Sequence, residues 1–133
     1  MKLILLRVFL LIAAFGWAIS AFGIFMPWPA VLAQLQGLGA ANLPPDPMLD
    51  YWLRMTAGAF TAIGAFFLAL AINPRRFSAA IQPAAIFLFA EGLILLIHGL
   101  RLNIAPLPFY VDTAFCLTLG AAIWLLRNAP KSP

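Results

Sequence analysis

A chain of 133 residues that is 65% hydrophobic and only 9% charged, with mean hydropathy +1.02, excludes a water-soluble core protein. Eight Lys and Arg against four Asp and Glu give a net charge of +4 and a pI near 10.0. The basic residues punctuate the ends of apolar blocks instead of forming a patch, which argues against nucleic acid as a partner.

The apolar residues fall into four blocks, Leu3–Met26, Tyr51–Ile72, Ser78–Leu100 and Phe109–Leu126. Each comes close to the ~20 residues that cross a bilayer at ~1.5 Å of rise per residue. The expected fold is therefore all-α: one membrane domain over 1–133, built as a four-helix bundle with the lipid bilayer as its solvent. The first block begins like a cleavable signal peptide and carries Ala18-Ile19-Ser20-Ala21. It continues through Phe22–Met26, past the usual apolar core of about 7–15 residues, and Arg7 interrupts its start, so we read it as a retained helix.

The segment 27–50 is proline-rich, with Pro27, Pro29, Pro44, Pro45 and Pro47. Within it Trp28, Val31, Leu32, Leu35 and Leu38 recur at helical spacing, with Gln34 and Gln36 off that stripe and Gly37 and Gly39 as stops. This pattern predicts a short amphipathic helix lying in the membrane interface. Between the second and third blocks, Asn73-Pro74-Arg75-Arg76 is a tight turn and a strong helix stop, which predicts an antiparallel hairpin. Trp28, Tyr51, Trp52, Phe109 and Tyr110 fit an aromatic belt at the outer boundary. The single cysteine, Cys116, lies inside the fourth block, which suits packing better than thiolate chemistry.

Charge assigns orientation. Lys2, Arg7, Arg75, Arg76, Arg127 and Lys131 share one side, leaving Arg54 and Arg101 on the other with Asp46, Asp50 and Asp112. The positive-inside rule makes the first side cytoplasmic, with both termini inside and the inner membrane as the expected location. Apolar side chains gain little by leaving apolar solvent, so helix contacts in lipid depend on small residues. Ala57, Thr61 and Ala65 form one such strip on the second helix, with Gly58 and Ala62 beside it. Gly16, Ser20 and Gly23 serve the first helix, and Thr118, Ala121 and Ala122 the fourth. These faces suit closure of the bundle, a homo-oligomer or a membrane-complex partner equally.

Glu91 is the most informative polar residue. It lies two positions past the middle of the third helix, roughly 3 Å from the midplane. An acid at that depth normally faces the bundle interior. Thr61, Thr118, Trp17 and Ser20 are its candidate hydrogen-bond partners by depth. Glu91 is either a neutral acid tying helices together, or a proton carrier or ligand anchor. Seven residues on, His98 continues the same helix face ~10 Å along the axis, and Arg101 follows one turn later. Asp50 and Arg54 form an i,i+4 pair at that level, where Asp112 starts the fourth helix. These five residues read either as interfacial ion pairing or as the polar mouth of a pocket with Glu91 at its floor.

One histidine does not provide bis-histidine haem ligation, and no His-x-x-x-His pair, phosphate loop, dinucleotide fingerprint or Gly-x-Ser-x-Gly elbow occurs. No cofactor, metal or catalytic residue is therefore expected. Four short helices with a buried acid are similar to small multidrug-resistance transporters, but there the essential glutamate lies in the first helix, which here holds no acid. Four helices, a Pro-rich first external loop (Pro27 to Pro47) and the Arg75-Arg76 turn together resemble small four-helix bacterial inner-membrane protein families. That likeness spans the whole chain and is one of architecture, without a diagnostic motif. The expected function is non-catalytic: binding a small amphiphile or lipid, or serving as an accessory subunit. The alternative is a proton-coupled small transporter or intramembrane enzyme using Glu91 and His98.

Overall fold

A computed structural model describes residues 1–41, 43–44, 46–104 and 106–129. Pro45 and Lys131, singled out above, lie outside the described residues. Six helices form and no strand occurs among the described residues: α1 Lys2–Ala18, α2 Ala21–Phe25, α3 Trp28–Gly37, α4 Pro47–Ile72, α5 Ser78–Leu102 and α6 Pro106–Leu126. Four spans are long and apolar enough to cross a membrane: Lys2–Phe25, Pro47–Ile72, Ser78–Leu102 and Pro106–Leu126.

The first span is not one continuous helix. At the α1–α2 junction Ser20 N–H donates to Trp17 O, Phe22 N–H to Ile19 O and Gly23 N–H to Ser20 O, all three residues back. With Ile19 at φ −57°, ψ −25° and Ser20 at φ −62°, ψ −17°, this is a 3₁₀ tightening that re-aims the last five residues. The α4 helix starts four residues earlier than hydropathy indicates, because Asp46 caps it (Met48 N–H donates to Oδ1, 2.8 Å) and Pro47 opens it. The α5 helix runs two residues further, to a left-handed Asn103 that lets Ile104 N–H donate to Gly99 O. At the head of α6, Leu107 is extended (φ −104°, ψ 125°), as the residue before a proline prefers, so regular helix begins near Phe109. In α3, Val31 is buried while Gln34 and Gln36 are exposed, in keeping with the expected stripe.

Two close antiparallel pairs make up the bundle: α1 runs along α4, α5 runs along α6, and α1 joins the pairs by packing on α6. The Asn73–Arg76 turn reverses the chain, with Arg76 N–H donating to Asn73 Oδ1, yet α4 and α5 touch little. Close approach elsewhere decides this. A Cβ on Gly64 would lie 2.6 Å from Ala18 N and 2.9 Å from Ala14 O, so α1 and α4 meet backbone to backbone. On the other pair, a Cβ on Gly120 would lie 2.9 Å from Phe89 N. Neither glycine belongs to the expected small-residue strips. Of those, Ala57 is buried, whereas Ala62 and Ala65 face outward and the space around Gly58 is open. Trp17 fills the interior, edge-on to Phe60 of α4 (4.8 Å between centroids) and tilted against Phe87 of α5 (6.3 Å). Leu6, Leu10, Phe67, Leu70, Ile81, Leu88, Cys116 and Ile123 complete the core. Phe109, expected in the aromatic belt, is instead buried over Gly99, while Tyr51, Trp52 and Tyr110 are exposed.

Candidate functional site

Antiparallel packing collects Lys2, Arg7, Arg75, Arg76 and Arg127 at one end of the bundle, the basic end. Asp46, Asp50, Arg54, Arg101 and Asp112 gather toward the other. There the fold divides the expected five-residue cluster. Asp50 and Arg54 belong to the α1–α4 pair, and His98, Arg101 and Asp112 to the α5–α6 pair.

Arg54 is fully engaged. Its Nε donates to Asp50 Oδ1 at 2.9 Å, and its Nη1 donates to Gly23 O at 2.8 Å and Ile24 O at 3.2 Å. Those carbonyls end α2, where the last turn of a helix has no intrahelical donors left. Arg54 thus caps the broken first span from a neighbouring helix. His98, Arg101 and Asp112 are exposed and make no hydrogen bond or ion pair among the described residues.

Deeper in the bundle Glu91 is half-buried on α5, beside Gly92, which packs on Leu117 of α6. The two threonines matched to Glu91 by depth donate within their own helices, Thr61 to Ala57 O (2.7 Å) and Thr118 to Ala114 O (2.6 Å). Ser20 is half-buried at the α1–α2 break. Trp17 is 8% exposed and its Nε1–H has no partner among the described residues. The same holds for Thr113 Oγ1, 6% exposed, on α6. Gly16 packs on Phe115, two residues from Thr113 on α6, while the Trp17 ring meets Phe87 on α5, one helical turn from Glu91. Thr113 carries no sequence signal: its hydroxyl is one of many in apolar helices until packing leaves it unbonded.

A concavity lies elsewhere, on the outer flank of the α5–α6 pair. Ala85, Ala90, Gly120 and Ala121 form its floor, with Ile86, Phe89 and Leu93 as one wall and Trp124 and Leu125 as the other. It encloses about 480 Å³ and opens sideways. Small residues let the two helices approach at Gly120 while their large neighbours splay, which produces the groove. At its basic end the Arg127 guanidinium stacks over the Trp124 ring at 4.2 Å, and Nη1 donates to Trp124 O at 2.8 Å. A shallower depression between α1 and α6 is lined by Val8, Leu11, Phe15 and Phe115 and carries no polar group. Among the described residues no group of three His, Cys, Asp or Glu side chains converges as metal ligands would.

No protein-family model matches this chain, and comparison with curated proteins and with solved structures finds no match to it.

Proposed function

We propose that this is a polytopic inner-membrane protein, with both termini cytoplasmic, that binds a small amphiphile or lipid without transforming it. The lateral groove between α5 and α6 carries the reading. It has the volume of a small-molecule site, it is lined by apolar side chains, and it opens on a face that would lie against lipid. Membrane residence accords with four apolar spans whose outward faces carry Phe15, Phe22 and Leu125 at 74%, 73% and 79% exposure. The α3 helix would then lie in the outer interface through Trp28, Val31, Leu32 and Leu35. Orientation rests on the basic end, and labelling tests it. In a Cys116→Ala background, a cysteine introduced at Arg75 should resist an impermeant reagent added to intact cells, and labelling there would reverse the topology.

The binding reading is tested with a phosphatidylcholine carrying a photoactivatable diazirine on one acyl chain. Cross-links should concentrate on Ile86–Leu93 and Ala121–Leu125 and disappear in Ala121→Phe, which fills the floor. Labelling spread evenly over all outward faces would sink the idea.

A second reading has its own support. Trp17 Nε1–H and Thr113 Oγ1 are buried and without a partner among the described residues; Trp17 meets α5 at Phe87, one turn from Glu91, and Thr113 lies on α6, which packs along α5. Such groups suit a polar interior in which Glu91 exchanges a proton. Infrared difference spectra of wild type against Glu91→Gln decide this one. A carboxyl titrating between about pH 6 and 8 supports proton exchange, and one protonated throughout makes Glu91 a clasp between helices.

A further inference from the structure

Resting on the amphiphile-binding reading, we infer that the occupant of the α5–α6 groove is a phospholipid with an anionic headgroup, its acyl chain in the groove and its phosphate on Arg127.

Groove and cation are continuous. The groove descends toward the basic end from Leu93 to Ala85 on α5 and from Gly120 to Leu125 on α6. Trp124 forms its wall and, at the same time, the surface on which Arg127 stacks. Arg127 follows Leu126, the last residue of α6, where a lipid in the adjacent leaflet would place its phosphate. The stacked ring and the bond from Nη1 to Trp124 O hold the guanidinium in place, leaving its other N–H groups for a ligand. A cation held beforehand loses less side-chain freedom when an oxyanion arrives, and a guanidinium matches phosphate geometry in two-bond fashion.

Charge complementarity selects an anionic lipid over a zwitterionic one. Among the described residues the single ion pair is Asp50–Arg54, at the opposite end, and Arg127 has no carboxylate partner. All four Asp and Glu of the chain lie at mid-depth or beyond, so no Asp or Glu neutralises Arg127 among the described residues. A phosphatidylcholine headgroup would bring its own trimethylammonium toward that cation. Phosphatidylglycerol brings a net negative charge.

The test is native mass spectrometry of the full chain in detergent, delipidated and then titrated with phosphatidylglycerol or phosphatidylcholine of identical acyl chains. Wild type should prefer phosphatidylglycerol by on the order of ten-fold. Arg127→Gln should remove the preference, weakening phosphatidylglycerol several-fold more than phosphatidylcholine, whose phosphate loses the same partner but whose trimethylammonium loses a repulsion. Arg75→Gln, which removes one charge from the same end, should keep the preference. Ala121→Phe should weaken both lipids. Equal losses in Arg75→Gln and Arg127→Gln would mean diffuse attraction to the basic end, and the inference fails. It fails too if wild type binds the two lipids alike while Ala121→Phe still weakens both, although lipid binding in the groove then stands. If Ala121→Phe changes neither lipid, the groove reading and the inference fall together.

Discussion

The α1–α4 pair and the α5–α6 pair are built from the same apolar alphabet but finish differently. The first closes on itself: Gly64 brings backbone against backbone, and Arg54 satisfies Asp50 and two terminal carbonyls of α2. The second meets as closely at Gly120, and large side chains on either side of that contact flank an open groove. Among the described residues His98, Arg101 and Asp112 have no hydrogen-bond or ion-pair partner, and Arg127 bonds only its own helix. A charge consumed by internal partners stabilises the fold, whereas one that is held but unneutralised remains open to a ligand. On the proposed reading the first pair is scaffold and the second is the working half.

The strongest way to break this comparison is at the scaffold seam. Gly64→Ala puts a methyl group against main-chain atoms of Ala14 and Ala18, which have no rotamer to escape through. We expect a loss of about 3 kcal/mol in unfolding measured in mixed detergent micelles. Gly58→Ala, where nothing lies within 4 Å, should instead gain up to about 0.8 kcal/mol from helix propensity. Equal effects at the two sites would show that α1 and α4 do not meet as described.

Next in size is the arginine contrast. Arg54→Ala leaves Gly23 O, Ile24 O and Asp50 without their donor and should cost about 2 kcal/mol. Arg127→Ala should change stability by less than about 0.5 kcal/mol, since only a stacking contact and a bond to its own helix are lost. Asp50→Asn removes one partner of a part-exposed pair and should cost only about 0.5 to 1 kcal/mol. If Arg127→Ala proves the more damaging of the two arginine variants, the division into scaffold and working halves is wrong.

How much of this was legible beforehand follows from which forces are local. Four helices long and apolar enough to span a membrane were readable because that capacity is written in length and hydropathy. The Asp46-Pro47 start of α4 was readable too, as cap and first-turn chemistry, but block hydropathy passed over it. Helix pairing was not readable. The Asn-Pro turn pointed to α4 with α5, yet a turn sets direction while the glycines that face a neighbour set contact. Gly64 and Gly120 look in sequence like Gly58, which faces open space. The Asp50–Arg54 pair was visible as i,i+4 spacing, but its bonds to Gly23 and Ile24 span about thirty residues and depend on the break at Ile19–Ser20. The groove arises from which side chains of two helices flank their contact at Gly120, which no stretch of one helix encodes.

The smallest expected effect bears on the interior of the working half. Thr113 is 6% exposed and its hydroxyl has no partner among the described residues. Thr113→Val keeps the shape and removes the unmet polar atom. If that hydroxyl is bare, the exchange should be neutral or stabilise by about 0.5 to 1 kcal/mol, because a buried group without a partner carries its desolvation cost uncompensated. A loss of about 1 kcal/mol or more would mean that the hydroxyl is bonded in the membrane by water or by a polar ligand. Coupling separates these further: in a cycle with Glu91→Gln, additive effects would mean that the two sites act apart. A coupling above about 0.5 kcal/mol would join Thr113 and Glu91 in one hydrated interior, and the polar core of the α5–α6 half would then work together with its groove.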